Sequence, residues 1–307
     1  MLHALHGAFG TTKRPVRPVT WAIANTTEPF GTTIINDVAY GANKYIAVGN
    51  SGKMASSIDG ITWTTINTVF GTTAIYVVVY KNNLWIAAGG SGKLATSTDG
   101  ITWTLRTSSF GTAPILSIDY GNNIYVAVGG SGKLATSTNA TSWTQRTSSF
   151  GTTYIYKIAY GDNRWVAVGD LGKLASSTTG TSWTQRVSGF LSTLRLRSVI
   201  TSKTGLSIAA GDNGTMSMSI NGTTWTASTD LSFANTTISA LAADDKYGIL
   251  AAGFIGKLGF ATATSMHTIS NFTQITPIVS TTLNAAVYSV NDKYVAVGTN
   301  GVILYSA

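Results

Sequence analysis

Trp63, Trp103, Trp143 and Trp183 recur at intervals of 40 residues, and a tandem period of that length confines a chain to solenoids, propellers or repeat arrays. The unit around each Trp is clearest in Ser91–Phe110 (SGKLATSTDGITWTLRTSSF) and Ser131–Phe150 (SGKLATSTNATSWTQRTSSF). Diverged copies run from Ser51 to Phe70 and from Leu171 to Phe190. Weaker ones follow at Gly211–Trp225, at Gly253–Phe260 with Phe272 as its aromatic, and at Val297–Ser306, where the chain stops before a Trp strand. The missing strand is at the other end: Trp21 lies 42 residues before Trp63 with no Gly–Lys strand ahead of it. A linear stack has no use for that displacement. A closed ring does, because the first strand can complete the last unit.

Within one unit, Ile115–Tyr120, Ile124–Val128, Lys133–Ser137 and Ser142–Arg146 read as four short strands rich in Val, Ile, Tyr, Trp and Thr, separated by Gly, Asn and Asp turns. Four-stranded antiparallel sheets repeated radially make a propeller. The fold class is therefore all-β, a seven-bladed β-propeller over residues 19–307, preceded by a flexible basic arm at residues 1–18. The seven aromatic anchors (Trp21, Trp63, Trp103, Trp143, Trp183, Trp225, Phe272) are expected to pack blade on blade, as are Trp85 and Trp165. The Phe of each Phe–Gly–Thr triplet is expected to plug the gap where the chain crosses to the next blade.

Composition narrows the chemistry. The chain has no cysteine and a single glutamate, Glu28, so disulfides and thiolate catalysis are excluded. Paired carboxylates of the kind a glycosidase uses are not recognisable. His3, His6 and His267 form no metal-binding spacing, and no Ser-centred elbow or nucleotide-binding loop is present. The expectation is a non-enzyme without cofactor or metal. No stretch has the roughly 20 apolar residues of a membrane span, and the N-terminus does not read as a signal peptide. The formal net charge of +8 arises from 20 basic and 12 acidic residues. They do not cluster as a specific nucleic-acid binder's would, apart from Lys13, Arg14 and Arg17, the candidate anchor.

One charged residue keeps register with the repeat: Lys53, Lys93, Lys133, Lys173 and Lys257 each follow the Gly of the turn between second and third strands. In a propeller these turns emerge on one face, making a positive rim interrupted by Thr215 and Val302. Two readings stand. The rim binds acidic glycan, lipopolysaccharide phosphate or an acidic protein surface, or each Lys serves solubility and edge protection at its own turn. The Tyr–Gly–Asn turns and Asp–Gly hairpins of the opposite face are expected to serve their own backbone. Arg195, Arg197, Asp244, Asp245, Phe254 and the His267 region mark where the last blades depart from the pattern.

Ser57–Trp63 (SIDGITW) and Ser97–Trp103 (STDGITW) resemble the BNR or Asp-box-like repeats of sialidases, photosystem II assembly factors and many bacterial and phage propellers, with a hairpin one residue shorter. The resemblance implies a fold marker rather than a catalytic motif. The arginine triad and Tyr–Glu pair of a sialidase have no counterparts. The near-identical Thr/Ser/Gly-rich units look most like phage or prophage structural proteins. That likeness implies a non-catalytic virion component (tail, baseplate or capsid-attached) binding other virion proteins, host surface glycan or lipopolysaccharide. The alternatives are a free microbial lectin, secreted or at the cell surface by a signal-independent route, and, less favoured, a glycoside hydrolase.

Overall fold

The computed structural model describes residues 20–24, 29–190, 192–202, 205–228, 232–243, 248–265, 268–269, 272–289 and 293–306, with backbone alone for 262–265 and 268–269. Lys13, Arg14, Arg17, His3, His6, Glu28, Asp244, Asp245 and His267 lie outside the described residues. The strands form seven sheets, each an antiparallel meander. The innermost strands are Ile35–Gly41, Ile75–Lys81, Ile115–Gly121, Ile155–Gly161, Leu196–Thr201, Ile238–Ala243 and Leu283–Tyr288, which begin blades one to seven. Each packs against the inner strands on both sides, and Leu283–Tyr288 meets Ile35–Gly41, so the ring is closed.

Closure uses the N-terminal strand. Trp21–Ile23 pairs antiparallel with Ile303–Ser306, the third strand of blade seven, with Trp21 opposite Ser306 and Ile23 opposite Leu304. Blade six departs from the pattern: its third strand extends over Leu258–Ser265 and makes an added hairpin with Thr268–Ile269, while Thr273–Ile275 takes the usual outer place.

The core is divided into seven clusters, each straddling one blade–blade interface, and each receives one of the seven aromatic anchors. Trp63 joins blades seven and one, Trp103 blades one and two, Trp225 blades four and five, and Phe272 blades five and six. Trp143, Trp183 and Trp21 pack at the remaining three. Burying a large ring contributes roughly 1.5–3 kcal/mol, so the 40-residue period distributes apolar stabilisation evenly around the ring. Trp85 and Trp165 are fully buried, as are Phe30, Phe70, Phe110 and Phe150 of the crossings.

Local geometry explains the rest of the repeat. The two-residue turns after the inner strands hold both residues at positive φ (Asn82 50°, Asn83 58°; Asn122 48°, Asn123 60°), the conformation that matches the twist of a tight hairpin and favours Asn. In the Asp–Gly hairpins, Asp59 Oδ1 accepts the N–H groups of Ile61 and Thr62 at 2.8 Å, and Ser57 Oγ accepts that of Gly60. The Trp63 indole N–H then donates to the Gly60 carbonyl. The bonds to the Asp and Ser side chains recur around Asp99 and Ser97, but the Trp103 indole N–H has no such partner. N–H donation from Ile101 and Thr102, with the Ser97 hydroxyl, holds the Asp99 carboxyl well below the usual range. These side chains are engaged by their own turn.

Candidate functional site

Every inner strand carries a β-bulge at the same place: the register slips between Ile35 and Asp37, Ile75 and Val77, Ile115 and Ser117, Ile155 and Lys157, Leu196 and Ser198, Ile238 and Ala240, and Leu283 and Ala285. A bulge leaves one residue out of the ladder and re-aims its side chain. The seven residues so released, Asn36, Tyr76, Leu116, Tyr156, Arg197, Ser239 and Asn284, line one concavity of ≈ 510 Å³, completed by Phe254, Thr282 and Thr299. It is the mouth of the central channel, on the face where the chain crosses between blades.

A second tier comes from the turns between second and third strands. Their first residues meet the bulged residues of the same blade: Asn36 donates to Asn50 at 3.0 Å and the Tyr156 hydroxyl to Asp170 at 2.9 Å, while Arg197 Nε lies 2.6 Å from Asp212. Blades two and three have Gly90 and Gly130 at this position, leaving Tyr76 and Leu116 without such a partner on the turn. From blade four to blade six the contacts run on continuously. Arg195 bridges Asp170 (3.2 Å) by its guanidinium and Asp212 by its backbone N–H, and the Arg197 guanidinium lies over the Phe254 ring, 5.9 Å from its centre. Burial, together with the bond to the Asp170 carboxylate, pushes the Tyr156 hydroxyl up to about 12. It therefore remains protonated and serves as a donor.

Below the mouth, the bore holds Lys81 and Asp119 as an ion pair at 2.7 Å. The charge of Asp119 raises the Lys81 ammonium against the opposing effect of burial. Asp37 is buried, and desolvation raises its carboxyl although Lys157 and the N–H groups of Val78 and Val38 oppose the shift. Its bond to Val78 N–H, like that of Ser117 to Ile158 and of Ser198 to Leu241, ties one inner strand to the next.

The five lysines of the rim are half-buried on the crossing face. Four are tied down: the ammonium groups of Lys53, Lys93, Lys133 and Lys173 donate to the carbonyls of Phe30, Phe70, Phe110 and Phe150 at 3.0, 2.9, 2.7 and 2.9 Å. The Gly before each faces the other way. A Cβ on Gly52 (φ 67°) would lie 1.9 Å from the Gly71 carbonyl oxygen. Each of these four Gly–Lys pairs thus fastens its turn to both flanking crossings, Lys to the one entering the blade and Gly to the one leaving it. Carbonyl partners do not cancel the lysines' charge, and the outer strands also end toward this face at Arg106, Arg146 and Arg186. With Arg195 and Arg197 against Asp170 and Asp212, the crossing face is strongly basic among the described residues.

The tips of these turns, each the residue just before the Gly, are left-handed in every blade. Five tips are Ser51, Ser91, Ser131, Asn213 and Asn300; the other two are Leu171 (φ 59°, ψ 33°) and Ile255 (φ 52°, ψ 34°). Such a conformation costs a residue with a Cβ about 1–2 kcal/mol, and a β-branched residue is rarely found there. A separate polar groove lies between the outer strands of blades three and four, lined by Gln145, Arg146, Thr181, Ser182 and half-buried Trp183.

Among the described residues no three His, Cys, Asp or Glu side chains come together to hold a metal ion, and no helix is long and apolar enough to cross a membrane. The sequence singled out the lysines, Arg195, Arg197 and Phe254, and the structure brings all of these to one face. It gave no notice of the other six bulged residues. The available signal was variation across the units at this one position, Asn36, Tyr76, Leu116, Tyr156, Arg197, Ser239 and Asn284, beside segments such as Gly92–Phe110 and Gly132–Phe150 that change much less.

Fold and mouth together define a class: a closed seven-bladed propeller whose inner strands each contribute one bulged residue to an axial depression. Several solved structures share the architecture. The ring is similar to YCF48 bound to D1 peptide (TM-score 0.74, 16% identity, 96% of each chain covered). It is also similar to virginiamycin B lyase from Staphylococcus aureus (0.76, 11%, 94% of this chain and 99% of that one) and to the WD40 repeats of RRP9 (0.78, 9%, 94% and 98%). These likenesses establish the fold alone. No family model matches the sequence, and no curated protein is similar to it.

Proposed function

We propose that the protein is a non-catalytic recognition module that binds a polypeptide segment of a partner at the channel mouth. One observation carries the reading: seven bulged side chains, polar, aromatic and one aliphatic, converge on a depression, and the carboxylates that border it, Asp170 and Asp212, are both held by arginines. Such a surface offers donors, acceptors and ring faces for binding, but no free acid–base pair for chemistry. Peptide recognition by a propeller has a precedent in the architecture, in YCF48 bound to D1 peptide. The lyase that shares the fold makes a turnover assay part of the test.

A specific observation favours a second reading, the free lectin: the groove beside Trp183 pairs an aromatic face with amide, hydroxyl and guanidinium groups, the chemistry that sugars select. A virion component would employ the same two surfaces, and the Asp-box-like hairpins are common to all of these readings. Peptide and glycan arrays probed with the intact chain separate them. The mouth reading expects peptide binding that Tyr156→Ala and Tyr76→Ala each weaken about tenfold, with folding retained. Binding that survives both substitutions would refute it, and sugar binding abolished by Trp183→Ala would replace it.

A further inference from the structure

Leu171 and Ile255 are in the wrong place for aliphatic residues. At the equivalent tip the other blades use Ser or Asn, which suit a left-handed turn and are at home in water. Leu171 is 49% and Ile255 60% exposed, so neither gains packing within the ring to offset the strained backbone. Strain retained without an internal reason points to a function outside the fold.

The surroundings agree. Phe254, adjacent to Ile255, and Tyr154, which stacks on Tyr156 at 6.0 Å, are also exposed. On the crossings nearby, Val187 and Ile278 add apolar surface between blade four and blade seven. Blades one to three present serine tips in the same ring, with Val69 the exception on their crossings. The exposed apolar residues of the turn tips and crossings are therefore concentrated on one arc, with Val69 apart from it. The Asp170–Arg195–Asp212–Arg197 chain runs through it, and Leu171 and Ile255 stand on either side.

The geometry points to this arc, from Leu171 to Ile255, as the docking surface for an acidic segment of a partner protein that carries apolar anchor residues. Charge selects the occupant. Asp170 and Asp212 are already matched by Arg195 and Arg197, whereas Lys173 bonds only to a carbonyl, so the field over the arc is positive and attracts carboxylates. The exposed aliphatic and aromatic side chains supply the apolar contact that anchors such a segment. This inference rests on the peptide-binding reading of the mouth and specifies which sector and which sequence chemistry it uses.

The test measures binding of the intact chain to short synthetic peptides rich in Asp and Glu with Leu or Phe at the centre. Controls are peptides without the apolar residues, peptides with Lys in place of the acids, and phosphatidylcholine–phosphatidylserine vesicles. The expected result is salt-sensitive binding of the acidic, apolar-centred peptides alone. Leu171→Asn and Ile255→Asn should each weaken it about tenfold while raising Tm by about 2 °C, because Asn tolerates the left-handed turn. A residue with a purely structural role would not combine weaker binding with greater stability. Unchanged affinity in both Asn variants overturns the arc, as does equal binding of the control peptides or a preference for vesicles. If Tyr156→Ala abolishes peptide binding while the Asn variants do not, the arc is refuted and the mouth stands. If peptides of every composition fail to bind, both are refuted.

Discussion

Replacing Lys53, Lys93, Lys133 and Lys173 together by Met separates the two roles open to the rim. Met keeps most of the alkyl stem and removes the ammonium, so the loss reports the bond to the crossing carbonyl. A hydrogen bond from a charged donor is worth about 1.5–3 kcal/mol when both groups depend on it. Here the dependence is weaker. The same carbonyls also accept backbone N–H groups, Phe30 from Thr33, Phe70 from Thr73, Phe110 from Ala113 and Phe150 from Thr153, and the lysines are only half-buried. About 0.5–1 kcal/mol per site is the appropriate figure. The four sites are on separate blades and should add, giving about 2–4 kcal/mol in total. For a chain of this size that corresponds to a fall in Tm of roughly 3–6 °C, measured by calorimetry or circular dichroism. A quadruple variant within about 2 °C of the parent would refute the fastening role and leave the lysines solely to solubility or binding.

Gly301→Ala and Gly31→Ala make a matched pair at the seam between blades seven and one. Both glycines have positive φ, but a Cβ on Gly301 would lie 2.0 Å from the Gly31 carbonyl oxygen, whereas one on Gly31 meets nothing within 4 Å. Gly31→Ala should cost about 1 kcal/mol and Gly301→Ala clearly more; equal losses on denaturation would contradict the packing. Asp37→Asn tests the buried carboxyl. Its folded pKa is raised, so its ionisation opposes folding above the unfolded value and not below it. The stability of the parent relative to the variant should therefore fall as pH rises from about 4 to 8, and the opposite slope in urea titrations would show that Lys157 and the N–H bonds outweigh burial. Removing residues 1–24 strips Trp21–Ile23 and buried Ala24 from blade seven. It should lower Tm and promote association through the bared edge; a truncated chain as stable as the parent would argue against closure by that strand.

The architecture was legible because its determinants repeat. An aromatic every 40 residues is visible in one dimension, and the displacement of Trp21 from the last unit reveals closure before any contact is known. The Lys register was equally plain, but the atom its ammonium bonds to was not, because Phe30 and Lys53 meet only once crossing and turn are folded. The mouth is harder still. A bulge inserts one residue into an alternating strand, so Asn36 and Tyr156 read as ordinary strand positions although they face the axis. The basic face likewise hid in the count, since Arg106, Arg146 and Arg186 are dispersed along the chain and gathered only by the ring. Leu171 and Ile255 were in plain view; without the left-handed backbone beneath them, nothing distinguished them from neutral divergence.

The pairing of Trp21 with Ser306 fixes how the ring is presented. The third strand of a blade descends from the crossing face and the outer strand climbs back to it, so Trp21 and Ser306 stand together at the opposite end of the sheet. The two described ends, Thr20 and Ser306, therefore both lie on the underside of one blade. The basic, aromatic mouth opens on the other face, so anything joined to the ring at those two points would leave the mouth facing outward.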